Sequence, residues 1–66
     1  MTIVINGQRH ELPDDATLTD VVARLTRAAR GVAVALNGSV VPRGEWQSTA
    51  LVEADQVEIL TAVQGG

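Results

Sequence analysis

Asn-Gly occurs twice in this 66-residue chain, at 6–7 and 37–38, each time at the end of an apolar run, and the helix-period stretch lies between them. Asn-Gly is the strongest short-range signal for a two-residue hairpin, because both residues tolerate the positive φ that such a turn needs. The run before the first pair, Thr2-Ile3-Val4-Ile5-Asn6, is rich in β-branched residues and reads as a strand, with residues 8–12 returning beside it. Pro13-Asp14-Asp15 ends that return, since proline has no N–H to give to a ladder. Before the second pair, residues 32–36 alternate Val-Ala-Val-Ala-Leu. A short strand at Val40-Val41, a break at Pro42-Arg43-Gly44, a short turn near Trp46 and a last strand over 56–63 follow.

Thr17 followed by Asp20 forms a capping box with Asp in place of Glu or Gln, and it opens a helix expected over 18–30. On a helical wheel Leu18, Val21, Val22, Leu25, Ala28 and Ala29 share a stripe about 120° wide, with Arg24, Arg27 and Arg30 opposite. Gly31 is the expected left-handed terminator, and Arg27 and Arg30 complement the helix dipole. Two strands, one helix, then more strands is the order of an α+β domain, a mixed four- to five-stranded sheet covered on one face by one helix. The ubiquitin-like β-grasp fits this order. In that fold the first and last strands lie centrally and parallel, so the domain spans 1–63 and residues 64–66 project from it as a flexible tail.

That tail is Gln64-Gly65-Gly66. Glycine adopts backbone conformations closed to other residues, so a diglycine end can thread a narrow channel and present its carboxylate from either face. Extended, three residues reach about 10 Å beyond the sheet. The rest of the chain offers little chemistry of its own. It has no cysteine, one histidine, no glycine-rich phosphate loop and no plausible metal cluster, so no metal site is expected. His10 reads as a structural strand residue, Asp14-Asp15 as a solvated turn, and Trp46 as the anchor of the loop after the short strand.

With five Arg against eight Asp and Glu the net charge is −3, and there is one aromatic residue, a balance that argues against nucleic acid. No apolar run is long enough for a membrane, and Met1 leads straight into the first strand without a signal segment, which predicts a cytoplasmic location. The charge keeps copies apart and predicts a monomer when alone. Lysine is absent, so copies cannot be linked through their own ε-amines, although a composition leaning toward Arg, Ala, Val and Gly accounts for that absence.

The alternation also divides the sheet. Ile3, Ile5, Val34, Leu36, Val57 and Ile59 face the helix, and Val4, Ala33, Ala35, Glu58, Leu60 and Ala62 face away. Exposed apolar clusters mark interaction sites, whereas single exposed apolar residues need no explanation. On this reading Val4, Ala33, Ala35, Leu60 and Ala62 form a partner-docking face, with Leu60 the foremost.

LNGSVVPRGEW at 36–46 and DQVEILTAVQGG at 55–66 resemble the sulfur carrier proteins of thiamine thiazole biosynthesis, the ThiS family of ubiquitin-like proteins, and the resemblance covers the whole chain. It implies that the Gly66 carboxylate is the reacting group. On this resemblance a ThiF-type, ubiquitin-activating-like adenylyltransferase would adenylate it with ATP, it would become a thiocarboxylate with sulfur from a donor such as a cysteine desulfurase, and a ThiG-type thiazole synthase would then take the sulfur. The chain itself would bind no cofactor and would be a co-substrate rather than an enzyme. The small subunit of molybdopterin synthase and a carrier for cysteine synthesis share the tail chemistry, although this chain is short for the former. A lysine-targeting protein modifier and a plain binding module are the readings from other classes.

Overall fold

The computed structural model of the protein describes residues 1–26 and 31–61. Strands β1 (Thr2–Ile5) and β2 (Gln8–Glu11) form the first hairpin, helix α1 (Leu18–Leu25) crosses over, and β3 (Val32–Leu36) and β4 (Ser39–Val40) form the second hairpin. A single 3₁₀ turn (Arg43–Glu45) and a loop lead to β5 (Gln56–Thr61). The five strands stand in the order β2-β1-β5-β3-β4. β5 runs parallel to β1 and antiparallel to β3, so the strand made last is inserted at the middle of the sheet. This is the β-grasp arrangement.

Both Asn-Gly pairs make the expected turns. Asn6 and Asn37 each have φ 50°, followed by Gly7 at 83° and Gly38 at 88°, so both central positions take the left-handed backbone that the two-residue turn requires. The alternation sets the layers. Ile3, Ile5, Val34, Val57 and Ile59 are buried beneath Leu18, Val21 and Val22 of α1, and Leu12, Ala16, Trp46 and Leu51 close the edges of the same core. Trp46 is buried while its indole N–H donates to the Val41 carbonyl at 2.9 Å, which fastens the loop after β4 to the core. Leu36 is only half-buried and packs at the periphery.

The helix starts as its sequence dictates and stops sooner. The Thr17 N–H donates to the Asp20 carboxylate at 2.9 Å, one arm of the capping box. The expectation of a helix to residue 30 is not met, because α1 ends at Leu25 and Thr26 has an extended backbone, φ −153° and ψ 149°. Thr26 is β-branched and disfavours a helix interior, and Leu25 is already 44% exposed, so the apolar stripe has run past the core it would cover. Gly31 does take a positive φ of 71°, but it stands five residues beyond Thr26 and leads into β3 rather than terminating α1. Ala28, Ala29, Arg27 and Arg30 lie outside the described residues.

Candidate functional site

β5 is the strand that leads to the tail, and its fastening defines the site. β3 pairs it along its length, from Leu36 opposite Val57 to Val32 opposite Thr61. β1 pairs only its first part, Val4 with Gln56 and Ile5 with Val57, before turning away at Asn6. Asparagine side chains hold both ends. At the start, the Asn37 carboxamide accepts the Gln56 N–H at 2.9 Å and donates to the Asp55 carboxylate at 3.0 Å. The other oxygen of Asp55 accepts the Val52 N–H at 2.9 Å, which closes the tight turn before the strand. Toward the end, the Asn6 carboxamide accepts the Ile59 N–H at 2.8 Å and donates to the Ile59 carbonyl at 3.2 Å.

The sheet face opposite α1 is open. There the structure brings Ala33, Ala35 and Leu60 together and adds Val40, which stands directly across from Ala35. With Asn6 and Glu58 they line a shallow depression of about 180 Å³. Leu60 is 71% exposed and Val40 76%, the two most exposed large apolar residues described. Val4 is half-buried and stands beside Gln56 and Arg9, on the far side of β5 from Ala33, Ala35 and Val40. Ala62, Gln64, Gly65 and Gly66 lie outside the described residues.

Elsewhere the surface carries no catalytic assembly among the described residues. No three His, Cys, Asp or Glu side chains of that set gather as a metal site. A concavity of about 700 Å³ lies between α1 and the 3₁₀ turn and is lined by Thr19, Val22, Arg43 and Trp46 among others, with neither an acid–base pair nor a thiol among its lining residues. Asp14 is engaged by the N-terminal ammonium at 3.1 Å, and this hydrogen bond raises the ammonium pKa above its ordinary value. Arg24 reaches the Glu11 carbonyl at 3.3 Å. No helix among the described residues is long and apolar enough to cross a membrane.

Sequence reasoning missed two things here. Val40 sits on a strand of two residues, too short for an alternation to declare its face. The asparagines were legible as turn formers, but their carboxamides act on a strand 53 residues away for Asn6 and 19 for Asn37, and nothing in the local sequence announces that.

A family model described as the ThiS family matches residues 3–66. The sulfur carrier protein ThiS of Escherichia coli is 27% identical over 66 residues, covering the whole of both chains. A thiazole synthase of Magnetococcus marinus is 36% identical over 66 residues, and one of Paramagnetospirillum magneticum is 30% identical. The chain spans 20% of the length of each of those two relatives. Among solved structures, the crystal structure of a thiamine biosynthesis protein (ThiS) from Geobacter metallireducens matches over the whole of both chains with a TM-score of 0.81 at 29% identity.

Proposed function

The chain belongs to the ThiS family, and from that premise we propose that it is a sulfur carrier for thiamine biosynthesis whose reacting group is the carboxylate of Gly66. The observation that supports this most is the placement of β5. It is the central strand, gripped on both edges, and it runs past the open apolar face toward the Gly-Gly residues. A rigid body that presents a side-chain-free end suits a molecule acted on by other enzymes rather than one that catalyses.

The chemistry follows from the electrophile. A carboxylate is a poor acyl donor until one oxygen becomes a good leaving group, so the Gly66 carboxylate oxygen attacks the α-phosphorus of ATP and pyrophosphate departs. A persulfide sulfur from the donor then displaces AMP from the acyl adenylate to give an acyl disulfide, and a thiol of the partner machinery cleaves its S–S bond, becoming a disulfide as the thiocarboxylate departs. ATP is bound by a ThiF-type adenylyltransferase, and a donor such as a cysteine desulfurase provides the sulfur, consistent with a cytoplasmic setting. Gln64 and Gly65 thread the active-site channel. Ala33, Ala35 and Leu60, with Ala62 and the more distant Val4, form the docking face, and Val40 extends it.

The likeness to two longer proteins named thiazole synthase supports a ThiG-type thiazole synthase as the recipient. In each, a stretch one fifth of the length resembles this whole chain. A carrier-like stretch therefore occurs within each of two proteins named thiazole synthase.

The test is the mass of the protein from cells making thiamine, after treatment with a thiol alkylating reagent. The chain has no cysteine, so a labelled sulfur nucleophile marks a thioacid. Fragmentation should place the label at Gly66, which separates it from oxidised Met1. An unlabelled terminus under conditions that load the Escherichia coli carrier would overturn the proposal. Isopeptide adducts on other proteins would move the assignment to a modifier.

A further inference from the structure

The geometry points to Asn6 as a positioning residue for the reacting tail: its carboxamide takes the place of a strand residue beside β5 and fixes the path of the strand at Ile59, just before the last described residues, Leu60 and Thr61. The ladder between β1 and β5 advances in steps of two along β5. The Val4 N–H donates to the Asp55 carbonyl and the Asn6 N–H to the Val57 carbonyl, each at 2.9 Å. The next rung belongs to Ile59. No backbone of β1 is there to make it, because Asn6 adopts φ 50° and the chain reverses. The Asn6 side chain makes it instead, accepting the Ile59 N–H and donating to the Ile59 carbonyl. Asparagine carries the shorter of the two carboxamide side chains, which offers an N–H donor and a C=O acceptor on one planar group as a peptide does.

Among the described residues this rung is the last on that edge of β5. Leu60 and Thr61 are held by Ala33 and Val32 of β3 on the other edge. A strand fastened on one edge can swing about it, and a swing there is carried into every residue that follows. Adenylation needs the carboxylate in line with the ATP α-phosphorus, and a misplacement of about 1 Å can cost on the order of a hundredfold in rate. This inference rests on the carrier reading and assigns one of its parts to a residue 60 positions away from the reacting carbon in sequence.

Asn37 provides a matched control. It has the same φ and the same Gly after it, and its carboxamide also makes two bonds, but at the start of β5. Glycine keeps either turn, since Gly-Gly also accepts two positive φ values. The experiment compares wild type, Asn6→Gly and Asn37→Gly in pyrophosphate–ATP exchange with a ThiF-type adenylyltransferase at varied carrier concentration, at a temperature where all are folded. Asn6→Gly should lower kcat about tenfold with little change in KM, and Asn37→Gly should leave kcat within about twofold. In the variants alone, backbone amide order parameters at Leu60 and Thr61 should fall below about 0.7 in Asn6→Gly and stay near the rigid value of about 0.85 in Asn37→Gly.

Asn6→Asp is the second variant, for use if Asn6→Gly does not fold. It keeps the turn preference and one acceptor but sets an oxygen where Nδ2 donated to Ile59, and it should lose kcat in the same way. Equal kcat in the Asn6 and Asn37 variants, or unchanged order at Leu60 and Thr61, would overturn the inference. Absence of exchange with the wild-type chain would instead overturn the carrier reading itself.

Discussion

Replacing Leu60 with alanine separates docking from folding. Full burial of a leucine side chain is worth about 2 kcal/mol. Leu60 is 71% exposed, so folding has used little of that energy and a partner covering the residue can use most of the rest, about 1.4 kcal/mol. That difference is about tenfold in affinity. Leu60→Ala should therefore weaken binding to the ThiF-type adenylyltransferase about tenfold by isothermal titration calorimetry, while urea unfolding changes by no more than about 0.5 kcal/mol, as for other exposed sites. Val52 is the control, because it is 64% exposed but lies before β5, away from the depression that Leu60 lines. Val52→Ala should leave the affinity unchanged. If both substitutions weaken binding equally, contact is not concentrated on the open face. If neither does, that face is not the docking surface.

Two further outcomes test the core and the tail. Trp46→Phe removes the indole donor and leaves the Val41 carbonyl without that bond, a loss of about 1–2 kcal/mol. In a domain of this size that lowers Tm by about 4–8 °C per kcal/mol, read by circular dichroism; an unchanged Tm would remove Trp46 as the loop's anchor. Gly65→Val should leave that melting curve where it is, since the core described runs from Ile3 to Ile59, and should block thiocarboxylate formation by steric exclusion from the channel. Normal loading of the Gly65→Val carrier, measured by the same alkylation and mass assay, would refute the threading role of Gly65.

Local interactions made much of this protein legible before its fold was known. The two turns at Asn6-Gly7 and Asn37-Gly38 were readable because positive φ at consecutive residues is a property of those residues alone. The helix start was readable because Thr17 and Asp20 satisfy each other three positions apart. Strand faces followed from a period of two, so the buried set of Ile3, Ile5, Val34, Val57 and Ile59 needed no tertiary knowledge. The helix end was not legible, because the apolar periodicity continues through Ala28 and Ala29 whether or not core remains beneath it, and α1 stops at Leu25.

Which apolar residues of the open face stand together was decided only when the strands took their order. β4 brings Val40 across from Ala35, and β5, inserted from the far end of the chain, separates Val4 from Ala33, Ala35 and Val40, a placement that only the strand order sets. The double duty of Asn6 belongs to the same class. Its turn is written in the dipeptide, because φ preference is local, but its grip on Ile59 exists only because insertion of β5 beside β1 leaves a peptide group that the reversing backbone cannot reach.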